Sequence, residues 1–355
     1  MSVFSSRKER IEAVEKLAQT KILVLDGAMG SLIQGLGFTE DDFRGDRFQD
    51  AKIPLKGNND LLCITQPEAI QKIHEQYYEA GVDIVETNTF GAQFVSQADY
   101  GMEHVCYEMN KAAAQIARKA ADKFETKAAP KLVAGSIGPT TKLLSMSPKV
   151  EDPAYRDINF DTMMAAFKEQ IRGLIDGGSD VLLIETITDT LNAKAAIFAC
   201  EEVFEEIGEK LPIMISGTIT DMSGRTLSGQ TVEAFYNSVR HAKPWSIGLN
   251  CALGPKQMKG FLSELARVAE TKISCHPNAG LPNAFGGYDE TPQDMCAVIG
   301  DWALDGMVNI VGGCCGTTPD HIKHIAHGVE GKKPRQIPHF EPALRLSGLE
   351  PFSHS

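Results

Sequence analysis

Short apolar, β-branched runs alternate along this chain with longer segments whose apolar residues recur every three or four positions. The first pattern marks buried strands and the second marks amphipathic helices. The strand-like runs fall at 22–26, 82–87, 132–137, 181–186, 212–218, 245–251, 272–277 and 308–314. Helical periodicity covers 68–80, 105–124, 160–176, 190–205, 232–242, 255–270, 292–305 and 319–327. Several of these segments begin with Pro or follow Asp, Ser or Thr, which are helix-start signals. The phrases E-A-G-V-D-I-V-E and D-G-G-S-D-V-L-L-I-E, each joining a helix end to a strand, form a faint internal repeat. Strict alternation of eight strands with helices predicts an α/β protein whose parallel strands close into a (β/α)8 TIM barrel.

Two features exceed a minimal barrel. Residues 31–66 make an unusually long β1-α1 connection, and loops of that length tend to be functional or to hold structure of their own. Residues 6–20 read as an amphipathic N-terminal helix closing the barrel bottom. The expected organisation is an N-terminal helix at 1–20, a barrel at 21–330 and a C-terminal linker or strap at 331–355.

With 355 residues, 43% of them hydrophobic, the chain can bury one large core. Its net charge of -12 argues against nucleic acid or an anionic membrane as partner, since polyphosphate binding relies on clustered Lys and Arg. The one basic cluster, Lys332, Lys333 and Arg335, reads as a solvated tail. The N-terminus lacks the apolar stretch of a secretory signal and no apolar run reaches membrane-span length, so the expected location is cytoplasmic. In that setting the eight cysteines are free thiols or ligands rather than disulfides. Cys63, Cys106, Cys200, Cys275 and Cys296 sit singly in mostly apolar surroundings and read as inert.

Barrels of this kind carry their active sites at the C-terminal ends of the strands. Polar residues gather there in this chain: Asp26, then Glu86 with Thr87, Asn88 and Thr89, then Glu185 with Thr186, then Asn250 and Asn278. Cys251 closes the sixth run, S-I-G-L-N-C, while Cys314 and Cys315 close the eighth, V-N-I-V-G-G-C-C-G. Those runs flank the seventh, so their ends lie about 10 Å apart and three thiolates could meet at one ion. Regular alternation would send Cys314 and Cys315 to opposite faces, but Gly312, Gly313 and Gly316 allow the backbone to leave the pleat. A redox or merely packed cysteine pair, or a structural zinc with a fourth protein ligand, stays open at this point. Asn278 and His276 are the candidates for that ligand, although His276 is more simply a hydrogen-bonding rim residue.

Three protein ligands leave a fourth position open on zinc. A free thiol titrates near ~8.5, and metal binding removes its proton outright. The chemistry expected of such a site is therefore alkyl transfer to a metal-bound thiol. No G-x-G-x-x-G follows a strand, which argues against a nucleotide cofactor. Lys194 lies in a predicted helix and Lys272 at the wrong end of a strand, so a Schiff-base enzyme is disfavoured.

Through G-L-N-C at 248–251 and G-G-C-C-G at 312–316 the chain resembles the zinc-dependent homocysteine methyltransferases. It is similar more narrowly to the homocysteine-binding module of cobalamin-dependent methionine synthases. That likeness rests on D-G-A-M-G at 26–30, K-G-N-N-D at 56–60, E-T-N-T-F at 86–90, S-G-R-T-L-S-G-Q at 223–230, H-P-N-A-G-L-P-N at 276–283 and L-S-G-L-E-P at 346–351. The resemblance implies zinc on Cys251, Cys314 and Cys315, with Asn278 as a resting fourth ligand displaced by the sulfur of L-homocysteine. It implies that Asp26 and Glu185 hold the substrate amino group and that the backbone around Thr89 and Phe90 receives its carboxylate. It further implies methylcobalamin as donor, carried by a cobalamin-binding domain or subunit and recharged from methyltetrahydrofolate elsewhere. An excised module and one subunit of a split enzyme are both consistent with it. The alternatives are S-methylmethionine or betaine as donor, for which an aromatic cage is not evident, and a non-catalytic zinc thiol-binding sensor.

Overall fold

The computed structural model describes residues 3–354. Its eight parallel strands are β1 (Leu23–Val24), β2 (Ile84–Glu86), β3 (Leu132–Ile137), β4 (Val181–Ile187), β5 (Ile213–Gly217), β6 (Ser246–Asn250), β7 (Lys272–His276) and β8 (Ile310–Val311). Each pairs with its neighbour in the order β1-β8-β7-β6-β5-β4-β3-β2. A parallel bridge between Leu25 and Ile84 joins β1 to β2 and closes the barrel. Between the strands run α5 (Pro67–Glu79), the short α6 (Phe94–Gln97), α7 (Cys106–Phe124), α8 (Phe160–Asp176), α9 (Thr190–Ile207), α10 (Val232–Val239), α11 (Pro255–Val268), α12 (Pro292–Leu304) and α13 (Pro319–Val329). The expected TIM barrel is thus the observed one.

Strand alternation divides the apolar residues into two cores. Inward-facing Leu23, Leu25, Ile84, Leu132, Ala134, Val181, Leu183, Met214 and Ile310 fill the barrel interior. Outward-facing residues such as Val85, Val133, Ile184, Ile215 and Ile247 pack beneath the helices. The bottom of the barrel is stopped by α1 (Arg7–Leu17), which Ser6 caps by accepting a hydrogen bond from the Glu9 N–H at 3.2 Å. Val14 of α1 and the following Ala18 join the interior core, and buried Arg10 pairs with Glu125 at 2.8 Å and Asp180 at 2.7 Å.

The long connection after β1 holds α2 (Gly30–Gly35), α3 (Glu40–Arg44), a 3-10 turn (Asn59–Leu61) and α4 (Leu62–Thr65). It bends over the C-terminal face, where Asn88 donates to the Asn59 carbonyl at 2.8 Å and Asn58 exchanges hydrogen bonds with Gln97.

Two expectations change. β1 and β8 have two residues each, because their mutual ladder is limited to Leu23↔Ile310 and Val24↔Val311. Cys314 therefore lies beyond its strand, and the conflict with strand alternation disappears. The basic segment is not a solvated tail: Arg335 is buried and donates to the carbonyls of Ala266, Ala269 and Thr271 at the end of α11, while Lys332 reaches the Gly300 carbonyl at 2.9 Å. The tail, read as a linker or strap, carries an antiparallel hairpin of β9 (Leu344–Ser347) and β10 (Pro351–His354), docked on α10 through Ser347 Oγ to the Ala234 carbonyl at 2.6 Å.

Candidate metal and substrate site

At the C-terminal mouth of the barrel a cavity of about 390 Å3 is lined at one side by Cys251, Cys314 and Cys315 and at the other by Asp26, Glu86, Glu185 and His276. Cys251 follows β6 with a left-handed φ of 62°, and Ala252 continues the turn at 58°. Non-glycine residues rarely adopt that region, so the chain is bent here against its local preference. The turn aims Cys251 Sγ across the end of β7 at the loop after β8. The Cys314 N–H donates to the Pro277 carbonyl at 2.8 Å, and Gly316, at φ 79°, completes the opposing turn. A Cβ at Gly316 would lie 2.5 Å from the Tyr288 Cβ and Cγ, so only glycine fits under that ring.

The three Sγ atoms lie within 4.8 Å of one another, and Cys251 and Cys315 are 3.8 Å apart. A tetrahedral ion with bonds of about 2.3 Å to sulfur sets its ligand sulfurs about 3.8 Å apart, so the trio fits a single zinc. Their electrostatics agree. Thiol hydrogen bonds from Cys251 and Cys314 pull Cys315 down to the thiolate, whereas Cys251 and Cys315 push Cys314 well above the ordinary thiol range. Ionising all three together calls for a cation among them. Tyr288 also hydrogen-bonds Cys315.

The opposite wall concentrates negative charge. Burial, and then the neighbouring Glu185, push Asp26 well above the usual carboxylate range. Glu86 is raised likewise by burial and by repulsion from Glu185 and Asp26. Ser136 Oγ donates to Glu185, and the Glu86 N–H donates to Asp26 Oδ2 at 3.0 Å. His276 Nε2 stands 3.6 Å from Glu185 and 3.9 Å from Glu86, and neither ring nitrogen has a hydrogen-bond partner. His276 is therefore no ordinary rim hydrogen-bonder. No Lys or Arg lines the cavity, leaving the acids open to a cation from outside.

Comparison with known proteins identifies the family. Residues 23–329 match the homocysteine S-methyltransferase family. The chain belongs to that family. Among solved structures, the metallated form of the homocysteine methyltransferase MmuM from Escherichia coli superposes with a TM-score of 0.68 at 21% identity, covering 88% of this chain and 98% of that one. Its oxidised form gives 0.67 at 21% identity, covering 90% and 99%. At this identity the likeness is one of fold.

Within this methyltransferase barrel the remaining expected site residues lie as follows. Asn278 is buried, accepts the Cys315 N–H at 3.1 Å and donates its own N–H to the Leu253 carbonyl at 3.1 Å. It therefore ties together the two loops that carry the cysteines, and its carbonyl oxygen keeps a second lone pair. Thr89 is fully buried, with its N–H bonded to the Thr87 carbonyl at 2.9 Å and its hydroxyl to the Ser136 carbonyl at 2.6 Å. Its N–H is thus committed within the chain, while Phe90 is 46% exposed on the cavity wall. Thr186 is held at φ 53° by Asn250, which accepts its N–H at 3.0 Å and donates to its hydroxyl at 2.7 Å. Glu86 and His276 carry strand-end positions in the sequence, yet only the closed barrel shows that they share one point with Glu185. Tyr288, 27 residues before Cys315 in sequence, had no local signal.

Proposed function

We propose that this chain methylates the sulfur of L-homocysteine to give L-methionine, using zinc held by Cys251, Cys314 and Cys315. The observation that carries this reading is the polarity of the cavity. A cluster of thiols at one end and three carboxylates at the other, Asp26 and Glu185 buried and Glu86 half-buried, match a substrate with sulfur at one end and an ammonium at the other. When bound, zinc supplies the Lewis acidity that keeps the substrate sulfur deprotonated at neutral pH.

The chain's own residues supply position. Asp26 and Glu185 receive the ammonium, whose charge offsets that of the acid wall. The main chain around Thr89 and Phe90 receives the carboxylate, with Phe90 the available contact because the Thr89 N–H is occupied. Asn278 braces the cysteine loops and is the resting fourth ligand. Methylcobalamin, presented by a cobalamin-binding domain or subunit, is the proposed donor. Supporting it, the described aromatic residues at the site are Phe90 on the cavity wall and Tyr288, whose hydroxyl is engaged with Cys315, too little for a cage around the sulfonium of S-methylmethionine or the ammonium of betaine. The site opens at the barrel mouth, where a carrier can approach. A cytoplasmic enzyme is the matching setting, with all eight cysteines free, and no described helix is long and apolar enough to cross a membrane.

The test is methionine formation by zinc-replete protein given homocysteine with methylcobalamin, S-methylmethionine or betaine in parallel. Turnover with methylcobalamin alone is expected. Turnover confined to a small donor would overturn the donor assignment and leave the homocysteine site standing.

A further inference from the structure

The acid wall holds more ligand atoms than an ammonium needs. Asp26 and Glu185 suffice for that group, yet one oxygen from each of Glu86 and Glu185 and a ring nitrogen of His276 also lie within 4.8 Å of one another. His276 is 1% exposed and both of its ring nitrogens lack partners, as does Asp26 Oδ1. Buried polar atoms are paired as a rule, so unfilled donors and acceptors converging on a cavity point to a missing ligand. Ligand atoms around a tetrahedral ion with bonds of about 2.1 Å to oxygen and nitrogen are about 3.4 Å apart. The separations from His276 Nε2, 3.6 Å and 3.9 Å, are close to that and too long for hydrogen bonds. Ser136 Oγ occupies the other Glu185 oxygen, the kind of outer hydrogen bond that orients a metal-binding carboxylate.

We propose that Glu86, Glu185 and His276 form a second divalent-cation site, separate from the three cysteines, whose occupancy excludes the substrate ammonium. Two carboxylates and an imidazole suit first-row dications such as Zn2+, Co2+ and Mn2+. The exclusion rests on the reading that this wall receives the ammonium. A dication and an ammonium cannot share the same carboxylates, so a free metal ion competes with homocysteine. The same element then acts as cofactor at the thiol end and as inhibitor at the acid end.

The two sites are distinguishable with Co2+. Thiolate ligands give an intense sulfur-to-cobalt charge-transfer absorption, whereas an oxygen and nitrogen site gives weak visible bands alone. Titration of the full chain, with bound cobalt measured by equilibrium dialysis, is expected to show a charge-transfer ion followed by a second, spectrally weak one. Cys314→Ser should remove the first, and Glu86→Gln or His276→Ala the second, with circular dichroism reporting an intact fold. His327→Ala, at an exposed histidine 3.4 Å from Glu330, should remove neither. Homocysteine should displace the second ion, and its apparent affinity should fall as free Co2+ rises. Binding that stops at a single ion, or a second ion that survives both Glu86→Gln and His276→Ala, overturns the site. A second ion lost in those variants but retained in saturating homocysteine keeps the metal site and overturns the placement of the ammonium.

Discussion

The two ends of the cavity are built in opposite ways. The acid end stands on regular structure: Glu86, Glu185 and His276 belong to β2, β4 and β7, and closure of the barrel brings their inward faces together. The thiol end stands where regular structure stops, with left-handed backbone at Cys251, Ala252 and Gly316. The difference follows from spacing. Side chains of successive strand residues point to opposite faces, so vicinal cysteines cannot meet one ion from within a strand. Carboxylates from separate strands meet without leaving their strands, although β4 is bulged around Glu185, between Ile184 and Ile187. Strain is therefore greatest on the metal side, and at the acid end it falls on Thr186, next to Glu185, which Asn250 holds in place.

The sharpest way to break this comparison is to remove a ligand from each end. Cys314→Ser should lower zinc affinity by more than the roughly 10–100-fold typical of losing an outer-shell partner, measured by metal competition. Glu185→Gln should leave the affinity of the thiol site unchanged. A thiolate-to-cobalt charge-transfer band of unchanged strength and affinity in Cys314→Ser would show that Cys314 is not a ligand there.

The acid end is tested next. Asp26→Asn and Glu185→Gln should each weaken homocysteine binding by about 2–5 kcal/mol by calorimetry, as for truncation of a buried charge contact. A homocysteine analogue without the amino group should bind the native protein as poorly as homocysteine binds the variants. Equal binding of both compounds by the native protein would leave the carboxylates without their assigned role.

Gly248 lies within β6, beneath both ends, paired with Ser274 of β7. A Cβ there would lie 2.0 Å from the Ser274 carbonyl oxygen, so Gly248→Ala must separate the strands. Thermal denaturation should show a loss of about 1–3 kcal/mol, accompanied by weaker metal binding, because Asn250 and Cys251 follow in the same strand and turn. Destabilisation without any change at the thiol end would mean that the loops position themselves independently of the strands.

The smallest effect concerns Asp60, which lines the cavity near Phe90 and is raised to about 7 by burial, opposed by the Gly91 N–H at 3.3 Å. Its folded value lies above its unfolded one, so its contribution to stability is fully present below about pH 4 and is lost as pH rises to about 7. Asp60→Asn removes that loss. Its melting temperature should exceed the native one by more at pH 8 than at pH 5, and a difference independent of pH would refute the assignment.

Much of this was legible before any coordinates. Each observed barrel strand lies within or beside its expected run, and the helix over Phe160–Asp176 coincides with its expected bounds. The hairpin at the tail gives no clear strand signal because Leu344, Leu346 and Phe352 stay more than half exposed, so no buried face imposes an alternating pattern. Arg335 reads as solvated because nothing local shows that the end of α11 offers it carbonyls. Thr89 reads as an anion receiver from its motif, while the structure spends its N–H on a turn.

The amino-acid sequence by itself determined the alternation of strands and helices, hence the barrel, and the set of polar residues at its C-terminal rim. Both are encoded by periodicities of two and about 3.6 residues, which are local properties. Only the tertiary structure decided which rim residues share a point. That depends on where each ladder ends, as at Val311, and on which turns go left-handed, as at Cys251. Both are set by contacts between segments far apart in the chain, and so Glu86 and His276 could be seen in the sequence but not joined to Glu185.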